Sequence, residues 1–303
     1  AILGILAMLA ASMWTATMWR RTPVPGGART EVTIPAGSSI GQAAELLEKA
    51  GVIDSAELFE MLARTVAADE RDIQYGTYAF REGEGWGSIL ERLRRGDTVI
   101  VKIPIPEGMS SAQVADRLNG VGRLKGEVAP PPEGSVLPAT YEAKVGETRA
   151  AVLKRMQAAM DKELERQWAM RSEHAAVKTP QEAIILASIV EKETGDPSER
   201  RRIAGLYSNR LKKGMRLEAD PTVIYPVTKG KPLGRRILRS ELQAENAYNT
   251  YRMAGLPKGP IANPGHDSIA AAVDPEVHDY YYMVADGTGG HAFAGQRQVL
   301  AEC

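Results

Sequence analysis

The chain has 303 residues, enough for two modest domains and an anchoring segment. Lys and Arg total 38 and Asp and Glu total 38, so no global field recruits nucleic acid or acidic partners. One cysteine, Cys303, excludes a disulfide framework, and four scattered histidines without a His-Glu-x-x-His pattern argue against zinc; neither a metal nor a cofactor is expected.

Ala1 to Trp19 carries no charge and is mostly apolar, with Trp14 and Trp19 towards its end and Arg20-Arg21 after it. That is about the length of one bilayer crossing, and tryptophan suits the interface. Residues 1–19 therefore read as a single-pass membrane anchor, with cleavage as a signal peptide near Ala10-Ala11-Ser12 as the alternative. Residues 20–30, with Thr22-Pro23-Val24-Pro25-Gly26-Gly27, read as a linker. An internal repeat follows over 31–122. Ile34-Pro35-Ala36-Gly37-Ser38-Ser39 leads into Gln42 to Leu47, and Ile105-Pro106-Glu107-Gly108-Met109-Ser110 leads into Gln113 to Leu118. Each reads as a short strand, a Gly-Ser turn that caps, and an amphipathic helix. A weaker third copy runs from Gly83 through Leu93, entered by a strand at Tyr75 to Phe80. Such small strand-helix units resemble the LysM glycan-binding module.

Gly- and Pro-rich residues from about 120 to 134 connect this region to a second domain over 123–303. A helix is expected from Glu147 to Met170. The next one opens with Thr179 as N-cap, Pro180 at the first helical position and Glu182 completing a capping box. It runs through Ile184, Ile185, Leu186, Ala187, Ile189 and Val190, apolar nearly all round and so buried, with Gly195 as the expected C-cap. Glu191 and Glu193 stand at its end. An apolar setting and the negative end of the helix dipole both raise a carboxylate's pKa, as a general acid near neutral pH requires. Glu193 has Ile189 and Val190 at its helical neighbours, whereas Glu191 has Ala187 and Ser188, so Glu193 is the better acid. Two residues apart, they point in different directions and do not form an acid–base pair. Solvation of both at a frayed end beside Lys192 is the competing reading.

Asp196-Pro197-Ser198-Glu199 reads as a further capping box, opening a helix towards Leu211. Beyond Gly214 the pattern suggests loops and short strands. These include Asp220-Pro221-Thr222-Val223-Ile224-Tyr225, the dense Gly255 to Gly265 stretch, a strand at Tyr280 to Val284, and a turn at Asp286 to Gly290 before His291. Long ordered loops of this kind often carry ligand sites.

Taken in order, Ala187 to Thr194, Asn209-Arg210-Leu211, Met215-Arg216-Leu217, Asp220 to Tyr225, Tyr248-Asn249-Thr250-Tyr251, Gly255-Leu256-Pro257, Pro260 to Gly265 and Val284 to Gly287 resemble the endolytic murein transglycosylase, or YceG-like, family. The resemblance implies an α+β protein: an N-terminal transmembrane helix, a small LysM-like α/β subdomain and a mixed α+β catalytic domain. It implies a single-pass inner-membrane location with the catalytic domain periplasmic, peptidoglycan glycan strands as substrate, and association with peptidoglycan synthases. The activity implied is internal cleavage of the bond from N-acetylmuramic acid to N-acetylglucosamine, leaving a 1,6-anhydro-muramyl end.

In that alignment Glu193 is the catalytic glutamate. One carboxyl suffices: it protonates the leaving oxygen and then takes the proton of the muramyl 6-hydroxyl, whose high effective concentration replaces an activated water. Asn209, Arg216, Asp220, Thr222, Tyr225 and Asn263 are candidates for substrate contact or transition-state stabilisation, and Glu191 is a further one. Each has a structural alternative, such as a turn or helix start at Asp220-Pro221. Ala139 stands where the family usually has Asp, Lys258 where it has a second Pro, and the tail from Ala294 lacks the Glu-His-Asn segment. The altered tail is expected to affect the stability of the last helix more than the chemistry. Two other readings stay open: a hydrolytic muramidase using Asp220 or Glu218 to activate water, and a non-enzymatic membrane-anchored wall-binding scaffold.

Overall fold

The computed structural model describes residues 2–66, 73–287 and 289–296. Of the altered tail from Ala294, residues Arg297 to Cys303 lie outside the described residues, as does Thr288. The chain forms two compact units, one of Ala1–Val101 with Glu142–Glu147 and one of Lys102–Tyr141 with Thr148–Cys303.

In the first unit, helix α1 spans Ile2–Arg20 and strand β1 Arg29–Ile34. Helix α2 (Ile40–Lys49) opens on a capping box in which the Ser39 hydroxyl accepts from Gln42 N and the Gln42 side chain accepts from Ser39 N. Helix α3 (Ala56–Val66), strand β2 (Gly76–Arg81) and helix α4 (Trp86–Arg95) follow. β1 and β2 pair antiparallel, from Arg29 opposite Arg81 to Ile34 opposite Gly76. Ile34, Leu47, Phe59, Tyr78, Phe80, Trp86, Ile89 and Leu93 close the core beneath them. The Trp14 ring stands edge-on to Trp86 at 5.8 Å, so α1 is tied to α4 by aromatic packing. The expected linker is also fastened: Val24 N donates to Glu82 O at 2.8 Å. Among the described residues no helix is long and apolar enough to cross a membrane.

Strand β3 (Ile100–Pro104) pairs with β4 (Thr140–Lys144) in a second two-stranded sheet. Helix α5 (Ser111–Asn119) repeats the capping box with Ser110 and Gln113, as the internal repeat predicts. It packs in the second unit, ahead of the boundary expected at 122. The Gly- and Pro-rich connection after it is gathered by one buried guanidinium. Arg149, at the start of helix α6 (Arg149–Ala169), donates to the carbonyls of Leu118, Asn119, Val121 and Gly126.

Helix α7 (Pro180–Glu193) is the centre of the second unit, with eight consecutive residues buried from Ala183 to Val190. Five of them are Ile, Leu or Val, and each contributes about 1.5–3 kcal/mol by burial, so packing outweighs the modest helix propensity of a β-branched run. Around α7 lie α6, helix α8 (Arg200–Lys212), helix α9 (Asp220–Thr228) and helix α11 (His266–Val273); a short α10 spans Arg239–Gln243. Strands β5 (Tyr282–Ala285) and β6 (His291–Ala294) make an antiparallel hairpin.

Three local expectations are corrected. Thr179 caps α7 through Glu182 N, but the Glu182 carboxylate accepts from Lys178 N at 2.6 Å, so the box is not reciprocal. The helix ends because Thr194 turns extended, and Gly195 does not take the left-handed conformation. Beyond Gly214 the chain contains α9, α10 and α11 as well as loops: Pro221 sits in the first turn of α9, where its missing N–H costs nothing.

Candidate active site

The end of α7 delivers Glu193 into a cavity of about 620 Å³ in the second unit. Leu206, Tyr207 and Arg210 of α8 form one wall, the β5–β6 hairpin a second, and Glu218, Asp220 and Tyr251 the third. Glu218 holds φ at 50°, a left-handed conformation that costs a side-chain-bearing residue about 1–2 kcal/mol, and its carboxylate lines the cavity.

Glu193 is half-buried and lines the cavity. Burial pushes its pKa up to about 7, and the Asp220 charge adds to the rise. The Tyr207 hydroxyl, which donates to Oε1 at 2.6 Å, and the charges of His291 and Arg210 oppose it. A carboxyl of this kind is partly protonated at neutral pH and suited to donate to a leaving oxygen. Arg210 is held rigidly, its guanidinium bonded to the carbonyls of Tyr281, Arg216 and Leu217 and lying over the Tyr282 ring.

The hairpin brings a second titratable pair to the cavity. His291 Nδ1 lies 2.8 Å from Glu199 Oε2, His291 N donates to Glu199 Oε1 at 2.7 Å, and Thr194 Oγ1 bonds Glu199 Oε2 at 3.1 Å. Burial alone would raise the Glu199 pKa, but the bonds from His291 and Thr194 win and hold it below the usual carboxylate value.

Of the sequence-derived candidates, the structure brings Glu193 and Asp220 together at this cavity. Asp220 accepts from the Tyr251 hydroxyl at 2.7 Å. The others are engaged with protein. Glu191 is turned away: it accepts from Gly265 N at 2.9 Å and faces Arg200 at 3.3 Å, and Arg200 also pairs with Glu107 and Asp267. Asn209 donates to the carbonyls of His278 and Tyr280, and Arg216 to that of Tyr251. Thr222 bonds Ala219 O and the Thr250 hydroxyl, and Tyr225 donates to Glu133. Fully buried Asn263 accepts from Val136 N and donates to Met109 O and Ser111 Oγ. Among the described residues no group of His, Cys, Asp or Glu is arranged to hold a metal ion.

These placements give the motif order a spatial meaning, and comparison with known proteins gives it a name. The YceG-like family model matches residues 32–299. The chain belongs to the YceG-like family. An endolytic murein transglycosylase of Bacillus subtilis is 31% identical over 307 aligned positions, covering 89% of this chain and 83% of that protein. One of Streptococcus pneumoniae is 28% identical, covering 91% of this chain and 58% of that protein. The crystal structure of a yceG-like protein from Listeria monocytogenes superposes with a TM-score of 0.54 at 28% identity, covering 91% of this chain and 99% of that one.

Within this YceG-like chain the departures from the motif lie at backbone roles. Ala139 O accepts from Ile105 N, and Lys258 N donates to Ala247 O. Tyr207, Arg210, Tyr251 and Glu199 went unread as site residues. The capping box expected at Asp196 to Glu199 does not form: Asp196 accepts from Ser198 N, and the Glu199 carboxylate is taken by Thr194 and His291; the tight turn before His291 is the sequence signal for that pair. Tyr207 meets Glu193 only through the packing of α8 on α7, which no spacing rule reports.

Proposed function

We propose that this YceG-like protein is a peptidoglycan lytic transglycosylase that cuts glycan strands internally. The observation that carries the reading is Glu193, a single carboxyl with its pKa raised to about 7, opening onto a cavity of about 620 Å³. Relatives named endolytic murein transglycosylase over most of the chain support it.

In this reading Glu193 protonates the oxygen leaving the muramyl C1, that bond breaks, and charge builds on the sugar ring. The muramyl 6-hydroxyl closes on C1 and its proton passes to the Glu193 carboxylate, restoring the acid. The product end is 1,6-anhydro-muramyl. Asp220 and Glu218 supply negative charge beside the oxocarbenium-like centre, and Tyr207 fixes the carboxyl.

The uncharged, mostly apolar sequence from Ala1 to Trp19 supports a single-pass anchor in the inner membrane, with the rest of the chain on the periplasmic side and peptidoglycan synthases as neighbours. The β1–α2–α3–β2 arrangement, two helices between antiparallel strands, supports a LysM-like glycan-holding role for the first unit. A hydrolytic muramidase is the second reading, favoured by Glu218 and Asp220 lining the same cavity as Glu193, where either carboxylate is placed to activate a water.

The test is digestion of uncrosslinked glycan by wild type and Glu193→Gln, with end groups identified by mass spectrometry. Anhydro ends from wild type, reduced about 100-fold or more in the variant, are expected. Reducing ends alone establish the muramidase, and equal activity of the variant removes Glu193 from the chemistry.

A further inference from the structure

His291 is built into the cavity in a manner that the single-carboxyl chemistry leaves unused. Its imidazole lines the same space as Glu193, and its side chain is only 16% exposed. One ring nitrogen, Nδ1, is engaged by Glu199, whose side chain is 9% exposed. Glu199 in turn is fixed by Thr194 Oγ1 and by the backbone N of His291. Glu199 already accepts from the Thr194 hydroxyl and the His291 backbone N, and a carboxylate can only accept, so the nitrogen facing it, Nδ1, carries the proton. In the neutral ring the lone pair then sits on Nε2. No described residue bonds Nε2.

The backbone is shaped to make this pair. His291 starts β6 opposite Ala285, and Asp286 closes the hairpin on Gly290: its N donates to Gly290 O and its Oδ1 accepts from Gly290 N. A Cβ on Gly290 would stand 3.0 Å from Glu199 Oε1, so glycine is what lets the chain bring His291 N onto that oxygen. A ring serving only the fold would use its second nitrogen on a protein group. This one leaves an oriented acceptor beside the proposed proton donor, on a different wall of the cavity.

We propose that His291, oriented by Glu199, binds the glycan: Nε2 accepts a hydrogen bond from the 6-hydroxyl of the muramyl sugar and holds it over C1. This inference rests on the transglycosylase reading above and adds the group that selects capture by the sugar's own hydroxyl over capture by water. The bonds made and broken are those already given: C1 to the leaving oxygen breaks and C1 to O6 forms, while the O6 proton, held by Nε2 until Glu193 has given up its own, turns from Nε2 to the Glu193 carboxylate. Glu199 is a positioning residue, acting through the tautomer and orientation of the ring.

The experiment reads the ratio of anhydro to reducing ends released from uncrosslinked glycan by the full chain. It compares wild type, His291→Ala, His291→Gln and Glu199→Gln, each with its thermal unfolding recorded. A fall of about tenfold in that ratio is expected for His291→Ala, because an unheld 6-hydroxyl competes poorly with water. His291→Gln, which returns a carbonyl acceptor near the Nε2 position, should recover part of the ratio, and Glu199→Gln should lower it less than His291→Ala. An unchanged ratio in folded His291→Ala overturns the proposal, whatever happens to the overall rate. Should that variant not fold, an unchanged ratio in both His291→Gln and Glu199→Gln overturns it instead. Wild type releasing no anhydro ends at all is a different failure, that of the transglycosylase reading itself.

Discussion

Tyr207 and Glu193 come from different helices, and the tyrosine hydroxyl donates to Glu193 Oε1 across 2.6 Å. The donor favours the ionised carboxylate and so works against the burial that raises its pKa. It also occupies one carboxyl oxygen, leaving the proton to Oε2. In Tyr207→Phe the pKa of Glu193 should rise further, and the pH above which cleavage declines should move up by about half a unit to one unit. Maximal rate should fall several-fold as the carboxyl loses its fixed orientation. A pH–rate profile of both proteins checks this.

Glu193 also sets how cleavage and stability depend on pH. An acid with a pKa of about 7 is depleted as pH rises past that value, so kcat/KM should fall about tenfold per unit above it. For stability, the folded pKa lies above the ordinary 4.5. The stabilising contribution is therefore fully present below about pH 4.5 and is lost as pH rises through about 7. Glu193→Gln removes the group that must ionise in an apolar setting. It should be more stable than wild type at about pH 8, by on the order of 2–3 kcal/mol, and close to wild type at about pH 4. Urea unfolding at the two pH values measures the difference.

Most of what α7 does was legible because its residues act locally. Thr179 and Pro180 open it, apolar side chains on all sides bury it, and Glu193 rather than Glu191 ends on the greasy face. The paired Ser39 and Ser110 caps are readable for the same reason, although their glutamine partners, which make each a reciprocal box, are not. What spacing could not show was the use of polar groups across the fold. Thr222, Tyr225 and Asn263 sit in motifs, yet their side chains bond other protein groups. Helix α11 was missed because His266–Val273 is short and rich in small residues, and its helicity comes from packing on α7 and α8.

Asn263 should prove to be a fold residue. Its amide bonds Val136 N, Met109 O and Ser111 Oγ, joining three distant segments. Asn263→Ala strands those groups in a buried setting, which costs about 2–4 kcal/mol in total. The denaturant midpoint should drop accordingly, while KM for glycan measured on the remaining folded protein stays near wild type. A large KM change without destabilisation would instead put Asn263 on the substrate.

Glu191→Gln separates the two glutamates of α7. The change weakens the attraction to Arg200 but keeps an acceptor for Gly265 N, and Arg200 retains Glu107 at 2.9 Å. A stability loss of about 1–3 kcal/mol is expected, with cleavage rate within about threefold of wild type. Comparing the two variants under one assay shows which carboxyl the reaction uses.

The first unit is completed by Glu142–Glu147, a segment that arrives after the chain has already begun the second unit at Lys102. Val145 N donates back to Val99 O, closing that return. During synthesis, therefore, the amino-terminal unit must wait until about forty further residues have left the ribosome before its last piece is available, so the two units mature together rather than one after the other. A version that begins at Lys102 would carry residues 142–147 without the strand they were made to meet, and cutting the gene at the apparent border would injure both halves.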